Sequence, residues 1–165
     1  MVSETPESGR TSVLFVCLGN ICRSPLAEGV FAHLVREAGL ADRFRVESAG
    51  TGSWHVGELP DARASMVASQ HGVELVSRAR QITERDLERF DWVIAMDREN
   101  LRNIEQMAGT TEGQTRIRLL RAFDDNRDSD EVPDPYYGDV RSFENVYGII
   151  DRSCRALLDR LQSEV

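Results

Sequence analysis

A thiol closes an apolar run, and an arginine follows it across one short loop. The segment Val13-Leu14-Phe15-Val16-Cys17-Leu18-Gly19-Asn20-Ile21-Cys22-Arg23-Ser24-Pro25 therefore combines a nucleophile, a cation and a helix start. Ser24 and Pro25 are residue types suited to an N-cap and a first helical position. A helix end of this kind presents unsatisfied N–H groups and the positive end of its dipole to an anion. Arg23 adds a planar fork of donors that matches two oxygens of a phosphate-like group. Gly19 can take positive φ, so the loop can curl and turn successive N–H groups inward. Leu18, Gly19, Asn20, Ile21 and Cys22, with Ser24, are the candidate oxyanion-binding residues. The same field favours a thiolate at Cys17, and the thiolate is the nucleophilic form. The chemistry implied is attack on an oxyanion whose developing charge meets donors already in place.

The elements that must hold this loop alternate along the chain. Residues 13–17 are a continuous apolar run with β-branched and aromatic members, as a buried parallel strand requires. A helix follows, with Leu26, Val30, Phe31, Leu34 and Val35 at helical spacing, and stops near Gly39. Residues 44–49 read as a second strand, followed by the turn-rich Gly50-Thr51-Gly52-Ser53-Trp54. A helix is predicted over 61–71, closed by Gly72. A third strand is predicted over 91–96, with Asp97 just past its end, then a helix over 98–107. A short fourth strand follows over 117–120 and a final helix over 142–161. Strands separated by helices predict a single α/β domain: a four-stranded parallel sheet with helices on both faces and right-handed crossovers. The phosphate-binding loop follows strand 1, and ligands in such folds bind beyond the carboxyl ends of the strands. The domain is expected over 12–163, behind a flexible tail of residues 1–11.

A chain of 165 residues with 41% hydrophobic and 29% charged residues suits one soluble domain. The net charge of −8 and pI near 4.9 disfavour nucleic acid and anionic membrane as partners. All 20 basic residues are arginine. Three cysteines do not make a disulfide scaffold. The polar N-terminal residues lack the apolar core of a signal peptide, and no stretch approaches the roughly 20 apolar residues of a membrane span. A cytoplasmic location is expected. Asp124, Asn126 and Asp128 match the start of a calcium-binding loop, but Ser129 and Pro135 break that pattern. No metal is expected.

Residues 13–25 resemble the N-terminal signature of the low-molecular-weight protein tyrosine phosphatase family. Asp134-Pro135-Tyr136-Tyr137-Gly138 resembles its second signature, and the resemblance covers 12–161. It implies hydrolysis of phosphotyrosine in protein substrates, with neither metal nor cofactor. Cys17 would attack phosphorus and form a phosphocysteine intermediate, and Arg23 would hold the equatorial oxygens. Asp134 would protonate the leaving phenolate and then activate water. Pro133 and Pro135 stiffen the chain on either side of Asp134, which helps aim a general acid.

By the same resemblance, Asn20 braces the loop and the Ser24 hydroxyl bonds the thiolate. Ser48 and His71 would hold Asn20. Asp97 would stand on the Arg23 side of the site, although it also reads as a helix cap. Trp54, Tyr136 and Tyr137 would wall an aromatic ring. Ile21 favours phosphotyrosine, because relatives that act on phosphoarginine carry Thr there. Cys22 would form a reversible disulfide with Cys17. His33 and His55 match nothing catalytic and read as structural or exposed. Trp92 and Cys154 read as packing. Phosphoarginine hydrolysis and arsenate reduction are the alternatives on the same fold. The second needs resolving cysteines, and only Cys154 lies downstream. A phosphocysteine carrier would have little use for Arg23 together with Asp134. No oligomeric state follows from the sequence.

Overall fold

Val13, Leu14, Phe15 and Val16 have no exposed surface, which is possible only in a strand covered on both faces. The computed structural model, which describes residues 9–109 and 115–164, places them in β1 (Thr11–Cys17). This strand pairs in parallel with β2 (Phe44–Gly50) on one side and β3 (Trp92–Ala95) on the other. Strand β4 (Arg116–Leu119) pairs in parallel with β3 and completes the order β2-β1-β3-β4. The expected α/β architecture is therefore present. Residues 1–8 of the expected tail lie outside the described residues, and Thr11 already belongs to β1.

Successive side chains of a strand point to opposite faces. Val13, Phe15 and Cys17 join a core with α1 (Arg23–Glu37), α2 (Ala62–Gln70) and α5 (Val140–Gln162). Leu14 and Val16 join the opposite core, with Leu87 of α3 (Asp86–Arg89) and Ile104 of α4 (Arg98–Ala108). On the first face Phe31 sits between Phe15 and Phe44, edge-on to both at 5.6 and 5.7 Å between ring centroids. Trp92 is buried, as its place in a strand predicts.

Three helices begin on aspartate side chains that accept from the first turn: Asp61 for α2, Asp97 for α4 and Asp139 for α5. Helix α1 departs from this pattern and from expectation. It starts at Arg23 with Cys22 at the cap position and no side-chain cap bond. Ser24 lies inside the first turn, where its hydroxyl is free to face the strand end. Helix α3 was not foreseen, since four residues are too few to show a helical period. After β4 the chain tightens at once into a 3-10 turn over Leu120–Phe123.

Because all strands are parallel, their carboxyl ends share one edge of the sheet. Cys17 is in register with Gly50, and Val16 with Ala95. The chain after β2 is stitched to the chain after β1 by Thr51 N–H to Cys17 O and Gly52 N–H to Leu18 O, both 2.9 Å. Gly50 permits that approach. A Cβ there would stand 2.7 Å from Leu18 O and 3.2 Å from Asn20 N. Gly50→Ala should therefore displace the loop after β1 while the sheet persists. We expect unchanged far-UV circular dichroism with oxyanion binding weakened about tenfold or more, since sub-ångström placement governs such sites; titration with inorganic phosphate measures it.

Candidate active site

Loop 17–23 curls so that its own backbone faces the thiol. Asn20 N–H donates to Cys17 Sγ at 3.3 Å. Asn20 is the residue with positive φ, at 58°, and Gly19 is not among the positive-φ positions. The curl therefore depends on asparagine, one of the few side-chain types that enter the left-handed region readily. Gly19 is required for a different reason: a Cβ there would lie 3.0 Å from Cδ2 of His55.

The Asn20 side chain is fully engaged. Nδ2 donates to Ser24 Oγ at 2.7 Å and to Ser48 Oγ at 3.0 Å, and Oδ1 accepts from Arg80 N–H at 2.9 Å. Ser48 Oγ in turn donates to Glu28 Oε1 at 2.6 Å, and Ser77 Oγ donates to the same oxygen at 2.9 Å. Both hydrogens of the amide are spent, so Ser24 Oγ accepts from Asn20. Its own hydrogen is then available to Cys17 Sγ, 3.0 Å away. The chain of bonds is thus polarised toward the thiol, and a thiolate there receives two donors.

Arg23 enters from the other side and is 3% exposed. Nη1 donates to Asp97 Oδ2 at 2.8 Å and to Val132 O at 2.9 Å. Nη2 lies 3.7 Å from Asp134 Oδ2. Burial alone would weaken this cation, but the negative groups at Cys17, Asp97 and Asp134 outweigh it and hold the guanidinium above its ordinary pKa. Asp97 fills both roles open to it: Oδ2 holds Arg23, and Oδ1 accepts Asn100 N–H at 2.8 Å to cap α4. Asp134 is half-exposed, and its Oδ1 accepts Tyr136 N–H at 3.1 Å.

Of these groups, Cys17, Arg23 and Asp134 line one cavity of about 380 Å³. Cys17, Leu18, Gly19, Ile21, Cys22 and Arg23 form its floor; Trp54, His55, Asp134, Tyr136 and Tyr137 form its walls. Trp54 is 70% and Tyr137 95% exposed, so two large rings stand in solvent at the mouth. The Tyr136 and Tyr137 rings meet at 87° with centroids 5.0 Å apart.

A family model described as low molecular weight phosphotyrosine protein phosphatase matches residues 12–165. The chain belongs to that family. It is 41% identical over 155 residues to the low molecular weight phosphotyrosine protein phosphatase of Rattus norvegicus, covering 93% of this chain and 98% of that one. The crystal structure of YfkJ from Bacillus subtilis superposes with a TM-score of 0.88 at 41% identity, covering 94% and 96% of the two chains. The crystal structure of DARP, a drosophila arginine phosphatase, gives 0.87 at 37% identity, covering 93% and 99%.

Within this phosphatase fold most of the predicted site residues converge. Asn20, Ser24 and Ser48 stand behind the thiol, and Asp97 stands behind Arg23. His71 is the exception. It is exposed at the C-cap of α2 and stacks on Tyr147, with ring centroids 4.2 Å apart. Asn20 is held by Ser24, Ser48 and the Arg80 backbone, with Glu28 and Ser77 behind Ser48. His55, set aside in the sequence as structural or exposed, lines the cavity with Nδ1 3.0 Å from Glu58 Oε1. Its place beside Trp54 in the turn-rich loop was the available signal. Cys17 and Cys22 are both free thiols. Burial pushes the Cys22 thiol far above its ordinary pKa, and the negative charges of Asp61, Cys17 and Asp134 add to that. Among the described residues no three metal-ligating side chains gather into a metal group.

Burial also raises the Glu28 carboxyl, against the two serine bonds that lower it. A raised folded-state pKa means that the folded chain binds this proton more tightly than the unfolded one. The associated stability is complete below the ordinary carboxylate value and is lost as pH rises through the folded value. The stability of the native chain relative to Glu28→Gln should therefore decline from acid to neutral pH. Urea unfolding at a series of pH values measures it, and an increase over that range would contradict the buried-carboxylate account.

Proposed function

We propose that this chain hydrolyses phosphotyrosine in proteins through a phosphocysteine intermediate, with residues 12–163 as the catalytic domain. One observation carries the reading: a thiol, a buried guanidinium and a carboxyl share one cavity rimmed by aromatic rings. Backbone N–H groups of residues 18–22 and the Arg23 fork bind the phosphate oxygens. The Cys17 sulfur attacks phosphorus as the bond to the tyrosyl oxygen breaks. Asp134 gives its proton to that departing oxygen. The resulting Asp134 carboxylate then takes a proton from water, which attacks phosphorus and releases inorganic phosphate. The departing thiolate is received by the Ser24 hydroxyl and the Asn20 N–H. None of these steps calls on a metal or a cofactor.

Trp54, Tyr136 and Tyr137 supply flat apolar area for a phenyl ring, which a seryl phosphate would not fill. Ile21 on the cavity floor fits the same preference. The likeness to the drosophila arginine phosphatase raises a second reading, hydrolysis of phosphoarginine. Arsenate reduction lacks support: Cys154 is fully buried on α5, with its Sγ against Ala27 O of α1. No described helix is long and apolar enough to cross a membrane. The substrates proposed are phosphoproteins of the cytoplasm.

Phosphotyrosine peptides should exceed phosphoarginine and phosphoserine peptides in kcat/KM by about a hundredfold or more, as expected where one leaving group fills a shaped pocket and the others do not. A higher value for phosphoarginine would replace the first reading with the second. Full activity in Cys17→Ser would sink both. Asp134→Asn should lower kcat/KM on phosphotyrosine by about 10²-fold or more, with a much smaller loss on 2,4-dinitrophenyl phosphate, whose leaving group needs no proton.

A further inference from the structure

Arg63 lies on α2, outside the cavity lining, yet it ties the two catalytic loops together. Its partner at the helix N-terminus is Asp61. Asp61 Oδ1 accepts Arg63 Nε–H at 3.0 Å, and Oδ2 accepts Nη2–H at 3.0 Å, a two-point fork. The Asp61 backbone N–H donates to Ile21 O at 2.8 Å, which fastens this pair to the phosphate loop. On its far side the guanidinium reaches the Asp134 segment. Nη1 donates to Gly138 O at 2.9 Å, and Nη2 donates to Tyr136 O at 3.0 Å. The guanidinium carbon also sits 4.5 Å from the centre of the Phe143 ring, at the start of α5.

Four of the five N–H donors of Arg63 are thus committed. Both bonds to the second loop go to carbonyls, so they fix the path of the backbone whatever side chains it carries. Tyr136 matters most, because its N–H holds Asp134 Oδ1. The residue that Arg63 grips by its carbonyl is the residue that aims the carboxyl by its amide.

We propose that Arg63 is a positioning residue for the reaction. Through Asp61 on one side and the Tyr136 and Gly138 carbonyls on the other, it sets the distance and angle of Asp134 over the Cys17 loop. This rests on Asp134 acting as the general acid. The effect is specific to proton delivery. Misplacing Asp134 harms substrates whose leaving oxygen needs a proton and spares those whose leaving oxygen does not. Lysine cannot replace the fork, since its donors radiate from one point.

The test compares kcat/KM of the native chain, Arg63→Met, Asp134→Asn and the double variant on a phosphotyrosine peptide and on 2,4-dinitrophenyl phosphate. Arg63→Met should lose about tenfold or more on the peptide, in keeping with the cost of small misplacements, and less than about threefold on the dinitrophenyl ester. In the Asp134→Asn background its further effect on the peptide should fall below about threefold, because residues acting as one unit are not additive. Should Arg63→Met fail to fold, Arg63→Lys carries the same comparison. Equal losses on both substrates, no loss on the peptide, or an undiminished loss in the Asp134→Asn background would overturn the proposal. If Asp134→Asn shows the leaving-group dependence and Arg63→Met does not, this inference alone falls. If Asp134→Asn shows none, the general-acid reading falls and takes this inference with it.

Discussion

Asn20 is a buried non-glycine residue in the left-handed region, and the geometry around Cys17 depends on keeping it there. That conformation costs on the order of 1–2 kcal/mol for an L-residue. Three side-chain hydrogen bonds oppose it, each contributing about 1 kcal/mol net. Together they outweigh that cost, and the loss of any one brings the two sides close to balance. Ser24 comes from α1, Ser48 from β2, and the Arg80 amide from the segment before α3. The strained turn thus exists because three separate elements converge on one amide, as is common where backbone strain persists at functional sites. The two serines do more than brace. With both amide hydrogens committed and Glu28 as the terminal acceptor, the Ser24 hydrogen is left for sulfur at 3.0 Å, with the Ala49 carbonyl a longer alternative at 3.4 Å.

The charges at the cavity are arranged by their freedom to move. Arg23 is held by a carboxylate, a carbonyl and its own burial, so its fork is preorganised and costs little to orient when an oxyanion arrives. Asp97 is fixed equally firmly, because one oxygen is committed to the α4 N-terminus. Asp134 differs. It is half-exposed, and its 3.7 Å approach to Arg23 is too long for a hydrogen bond. A carboxyl proposed to hand over a proton and later take one back would have to exchange partners during turnover. Loose contact with Arg23 and a single backbone bond to Tyr136 suit that task better than a buried fork would.

Much of this was legible because the decisive motif is local. Strand, thiol, loop, arginine and helix start are consecutive residues, and the parallel sheet that exposes them follows from alternating strand and helix patterns. The second loop was legible through Asp134 and its flanking prolines, and the aromatic rim through Tyr136 and Tyr137 beside it. What failed to show was long-range or conformational. Nothing in the neighbourhood of Glu28 announces that Ser48 and Ser77 will reach it from elsewhere in the chain. His71 offered the right chemistry for holding Asn20 but sits at the exposed end of α2, where Tyr147 stacks on it. Gly19 was the obvious residue for positive φ, yet the requirement for small size at that position comes from His55. The sequence showed which residues could bend the loop, and packing decided which one does. Arg63 carries no catalytic signature of its own, because its bonds to the second loop run to carbonyls.

The distribution of charge also bears on how an acidic chain accepts an anionic substrate. Net charge is −8, and several carboxylates stand near the cavity: Asp134 on its wall, Glu58 beside His55, Asp61 beside Arg63. A general positive potential cannot be what draws phosphate in. The favourable field comes instead from groups within the loop itself: the Arg23 fork, the Asn20 N–H and the first turn of α1. Surface charges are screened over about 10 Å at ordinary ionic strength, whereas donors at contact distance to a bound oxyanion are screened far less. The acidic surroundings therefore weaken long-range attraction for any anion while leaving the short-range grip on a phosphate group intact. Such a site gains little from diffusional steering and takes its selectivity from fit: a tetrahedral oxyanion at the floor and a flat ring between the aromatic walls.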